Sequence, residues 1–143
     1  MKHIAAMFAL LLLTLTLSGC GQSEFHTSRD VSTGEITIHA ENSTNGTDNG
    51  LITLEEGECL VFSPSVSQGS IHITVTQEFS TDSIVFEADI TGNTYRSEEM
   101  APGNYQVFIN TKEGATGSLH IFAIKEEDLE QQMKDREEEK TEG

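Results

Sequence analysis

The chain has 143 residues, 24 of them acidic and 8 basic, for a formal charge of −16. With that excess of acid and no basic cluster anywhere, attraction to nucleic acid or to anionic lipid headgroups through a positive patch is disfavoured. One domain's worth of residues and 2 cysteines leave room for a single modest core held by packing.

Met1-Lys2-His3 is a short basic start, and residues 4–17 are apolar except for Thr14 and Thr16. A bilayer crossing takes about 20 apolar residues, so this run is too short to favour one. Its charged start, apolar middle and small-residue end are the layout of a secretory signal. The run closes on Leu17-Ser18-Gly19-Cys20, and with that ending it resembles a bacterial lipoprotein signal and its lipobox. The resemblance implies cleavage before Cys20, a thioether diacylglycerol on its thiol, and a place on the extracytoplasmic face of the cell membrane. Two acyl chains, at about 0.8 kcal/mol per buried methylene, anchor stably where one would exchange. With Cys20 acylated, Cys59 has no disulfide partner. It lies in the apolar stretch Cys59-Leu60-Val61-Phe62, with no basic neighbour in sequence to activate it, and is expected to be a buried thiol.

Residues 20–34 are polar, with only Phe25 and Val31 of any apolar size, and predict a flexible tether reaching some tens of ångströms. Residues 35–124 then read as short alternating segments divided by turn residues, the pattern of a small antiparallel β-sandwich of about eight strands, jelly-roll-like. The predicted strands are 35–40, 51–54, 58–63, 71–76, 83–90, 94–100, 105–110 and 118–124. Residues 42–50, 64–69 and 112–117 are read as turns or loops. Inward positions include Ile36 and Ile38, Ile71, Ile73 and Val75, and Ile84, Phe86, Ala88 and Ile90. Residues 125–143 form a charged tail, and the helix formers of 125–140 predict a short helix with a thin apolar edge at Leu129 and Met133.

Catalytic signatures are missing: there is no Gly-x-Ser-x-Gly turn, no phosphate-cradling glycine loop, no His-Glu-x-x-His and no cysteine pair at metal spacing. His72 and His120 both point outward, and would face each other as metal ligands if their strands paired in register; two unrelated surface histidines are the expectation. Residues 42–49 hold one acid, Asp48, and no closing glutamate, so they read as a turn and calcium is unsupported. Two predicted strands carry apolar residues on both faces, with Phe108, Phe122 and Ile124 outward. Either the C-terminal segment covers them through Leu129 and Met133, or they form an exposed patch that docks a partner.

Over residues 51–124 the chain resembles the small β-sandwich modules of the pre-peptidase C-terminal type. The carrying features are Leu54-Glu55-Glu56-Gly57-Glu58, Gly69-Ser70-Ile71-His72-Ile73, Pro102-Gly103-Asn104-Tyr105-Gln106-Val107 and Gly117-Ser118-Leu119-His120-Ile121. The resemblance implies a non-catalytic domain that assists binding or targeting. Some such modules bind calcium, but no residue here matches their ligand set. The sequence therefore predicts a membrane-anchored accessory module for a protein or extracellular ligand, with no catalytic residue, no metal and no cofactor beyond the diacylglycerol on Cys20. The alternative is a structural or interaction subunit of a cell-envelope complex.

Overall fold

Alternating residues become strands through most of the domain. In the computed structural model, which describes residues 23–30, 34–78 and 83–141, there are β1 (Glu24–Asp30), β2 (Glu35–Ser43), β3 (Thr47–Leu54), β4 (Glu58–Gln77), β5 (Ile84–Ile90), β6 (Tyr95–Arg96) and β7 (Gly103–Lys125), followed by α1 (Glu126–Thr141). All strand pairings are antiparallel. The molecule is an all-β sandwich, as the alternation predicts.

The number of strands is smaller than expected because β4 and β7 each run through both layers. They pair along their whole length, from Glu58 opposite Lys125 to Gln77 opposite Tyr105. The first layer is β1, β2, the second half of β7, the first half of β4, then β6; the second is β3, the first half of β7, the second half of β4, then β5. Residues 43–47, 66–70 and 111–117 carry the chain from one layer to the other, and this bend is called the corner below. The turn residues of 64–69 and 112–117 thus bend continuous strands where loops were predicted, and the β4–β7 register shifts at Val66, Gln68 and Ser70.

Glycine is required twice at the corner. Gly69 and Gly117 have φ of +65° and +136°, and a Cβ on them would lie 2.5 Å from the Lys112 carbonyl oxygen and 2.1 Å from that of Ser65. Thr111, fully buried, ties the passages together: its hydroxyl accepts from the Gly46 N–H at 2.8 Å and shares a 2.8 Å bond with the Ser43 hydroxyl.

One core lies between the layers, with Ile36, Ile38, Leu119 and Ile121 from the first and Ile71, Ile73, Val107 and Ile109 from the second. Phe62 of β4 stacks on Phe86 of β5 across it, ring centroids 4.5 Å apart and 9° from parallel.

β1 departs from the sequence reading, which places residues 20–34 in a flexible tether. It pairs with the edge of β2 from Glu24 opposite Glu41 to Asp30 opposite Glu35. Two half-buried side chains hold it there: Phe25 packs against the core, and the Thr27 hydroxyl donates to the Asp48 carboxylate of β3. Pairing satisfies the open edge of β2, a gain that a polar composition does not reveal. The signal predicted at 1–19 and the acylation predicted at Cys20 lie outside the described residues. Among those that are described, no helix is long and apolar enough to cross a membrane.

Candidate functional site

The two outer faces of the sandwich differ in what covers them. On the first layer, Cys59 and Val61 of β4 and Phe122 and Ile124 of β7 point outward, and all are buried or half-buried. α1 lies over them. Leu129, Val61, Phe122 and Arg96 line a cavity of about 320 Å³ between helix and sheet, and the Arg96 guanidinium meets the Glu126 carboxylate at 2.9 Å. The acids of the first helical turn, Glu126, Glu127 and Asp128, complement its N-terminal dipole. Burial pushes the Cys59 thiol above its ordinary pKa, an effect that Arg96 opposes and Glu126 reinforces. Leu129 thus provides the cover by the C-terminal segment; the Met133 side chain lies outside the described part.

Phe108 and Phe122, grouped by sequence into one candidate partner face with Ile124, occupy opposite outer surfaces. They share β7, but the corner between them turns the strand into the other layer, so the single face of Phe108, Phe122 and Ile124 does not exist. His72 and His120 are separated in the same way. His72 lies opposite Asn110 in the second layer, and His120 opposite Ser63 in the first. His120 Nε2 meets Glu35 at 2.9 Å and its ring leans on Phe122, centroids 4.9 Å apart. Among the described residues no group of three or more metal-ligating side chains is gathered in one place.

Among the described residues, none covers the outer face of the second layer. Phe108 is 36% exposed and Leu51 55%. Strand register sets the side chains in cross-strand rows: Thr47, Asn110, His72 and Asp89 form one, and Asn49, Phe108, Thr74 and Glu87 the next. A shallow groove of about 330 Å³ runs along them. At its β5 side the His72 imidazole is held between two carboxylates, Nδ1 to Asp89 at 2.8 Å and Nε2 to Glu87 at 3.1 Å. The Lys112 ammonium donates to Asp89 at 2.9 Å, and this bond, followed by that to His72, holds the Asp89 carboxyl below the usual carboxylate range. Asn110 Oδ1 is buried without a hydrogen-bond partner.

The sequence reading picks out Phe108 but misses the cluster beside it. His72, Glu87 and Asp89 are each readable as outward by alternation. Their meeting depends on the β4–β5 register, which contains a shift between Val75 and Thr76, and a slip of one residue would turn either strand's set to the other face.

No protein-family model matches the chain, and no curated protein matches it. Among solved structures, the pre-peptidase C-terminal domain of a collagenase from Bacillus anthracis superposes with a TM-score of 0.43 at 9% identity, covering 72% of this chain and 88% of that one. A carbohydrate-binding module of lichenase 5A from Cellvibrio mixtus, solved with cellotriose, gives 0.42 at 15% identity, covering 76% and 90%. The C-terminal carbohydrate-binding module of a laminarinase from Zobellia galactanivorans gives 0.38 at 10% identity, covering 71% and 90%.

Proposed function

We propose that this protein is a non-catalytic binding module, held at the extracytoplasmic face of a cell membrane by diacylglycerol on Cys20, and that it presents the Phe108 face to its ligand. The observation that carries the reading is the unequal cover of the sandwich: α1 closes the face of Phe122 and Ile124, while Phe108 stays exposed in a row of hydrogen-bonding side chains. The lipobox ending at Cys20 supports the anchor.

The chemistry of the face favours a neutral, polyhydroxylated ligand such as an oligosaccharide. An exposed aromatic ring offers a flat apolar surface to the C–H side of a sugar ring, and Asn, Thr and His around it exchange hydrogen bonds with hydroxyls. Anions are disfavoured by the charge of −16. A cationic partner gains little from Glu87 and Asp89, because His72 and Lys112 already engage them.

The test is calorimetric titration of the full chain in detergent micelles against a panel of neutral oligosaccharides. Binding by the wild type and a loss of about tenfold in Phe108→Ala, which corresponds to roughly 1.4 kcal/mol of aromatic contact, are expected. If no oligosaccharide binds and a membrane protein co-purifies at one-to-one, the ligand assignment falls and the envelope-subunit reading takes its place.

A further inference from the structure

We infer that the sandwich stands on the bilayer with its corner end towards the lipid and its Phe108 face turned sideways, an orientation that rests on the lipid anchoring proposed above. What leads to it is the shortness of the lead. β1 takes up the residues that would otherwise serve as a tether, and it is fastened to both layers, through β2 in the first and through Asp48 of β3 in the second. Only Gly21, Gln22 and Ser23 remain between Cys20 and Glu24. An extended chain spans at most about 3.5 Å per residue, so the start of β1 lies within about 14 Å of the acylated cysteine. That start is at the corner end, because Glu24 pairs with Glu41 just before β2 bends into the second layer.

The connections at the end away from the corner carry Glu55, Glu56, Glu78, Glu98 and Glu99, with Lys125 where β7 passes into α1, and this is called the acidic end below. Because the strands run from the corner end to the acidic end, the Phe108 face then stands as a side wall, open to ligands that approach along the membrane plane.

The test places single cysteines in the full, acylated protein reconstituted into phosphatidylcholine vesicles. Acylation blocks Cys20 and burial blocks Cys59, so each introduced thiol is the one that reacts. Gln68→Cys and Asn93→Cys mark the corner end, and Glu56→Cys and Glu99→Cys the acidic end; all four positions are exposed. With a maleimide on a bulky polyethylene glycol, the corner pair is expected to label severalfold more slowly in vesicles than in detergent, and the acidic pair equally in both. A Gly/Ser insertion between Gln22 and Ser23 is expected to restore the corner rates. Equal vesicle-to-detergent ratios at all four sites, with the protein still on the vesicles, overturn the orientation alone. Slow corner labelling that survives the insertion overturns the role of the short lead. Recovery of the protein in the aqueous phase with Cys20 unmodified overturns the anchoring, and the orientation with it.

Discussion

Thr111 shows how much of the corner depends on one hydroxyl. It has no exposed surface, and its Oγ1 serves both the Gly46 N–H and the Ser43 hydroxyl. Thr111→Val keeps the shape but leaves the buried Ser43 hydroxyl and the part-buried Gly46 N–H without this partner, so a loss of about 1–3 kcal/mol in urea-unfolding stability is expected. Asp89 gives a second handle. Lys112 and His72 lower its pKa in the folded protein, so its ionised form contributes stability that is complete above the unfolded value of about 3.9 and is lost as pH falls through the lower folded value. The carboxylate is exposed and screened, so the contribution is small. The stability gap between wild type and Asp89→Asn should hold constant above about pH 5 and narrow as pH drops below about 4, read by thermal melts across that range. A gap that does not change with pH would show that the Lys112 and His72 bonds do not favour the ionised form.

At the scale of the element, α1 lies along the outer face of the first layer, with Leu129 near Val61 and Phe122. Burial holds the Cys59 thiol in its protonated form; Arg96 opposes this, and the Glu126 and Glu58 carboxylates reinforce it. Deleting residues 126–143 removes Glu126 and the helix, uncovers Val61 and Phe122, and breaks the Arg96–Glu126 pair. A soluble thiol reagent should therefore leave Cys59 unmodified in the native protein and modify it in the truncated one, while the β-sheet circular dichroism persists. Modification at equal rates in both would mean that the sheet alone, through Ile124, buries the thiol. β4 and β7 carry a further lesson at this scale. Gly69, Gly114 and Gly117 punctuate the sequence like loop residues, yet backbone pairing continues past them, since β7 on either side finds the same partner, β4.

For the whole molecule, the proposed anchoring and the proposed ligand binding are separable. No described side chain of the sandwich requires the lipid for its packing, so Cys20→Ala should move the protein from the membrane fraction to the aqueous one with its melting temperature unchanged. Retention of Cys20→Ala in the membrane fraction would refute the anchor, and a fall in melting temperature would show that the lipid contributes to the fold.

The all-β class, most of the inward-facing positions and the C-terminal helix were legible in the sequence by itself, because alternation with a period of two and a run of helix formers are local properties. The lipobox-like ending Leu17-Ser18-Gly19-Cys20, on which the proposed anchor rests, is read in the same way, as a contiguous pattern. Tertiary structure alone decided that residues 24–30 leave the tether and join β2, that two long strands cross both layers, that Phe108 and Phe122 lie on opposite surfaces, and that His72 meets Asp89 while His120 meets Glu35. Each of these depends on strand register, or on an edge in need of a partner, between segments far apart in the chain. A local pattern shows which way a side chain points; only pairing decides what it meets.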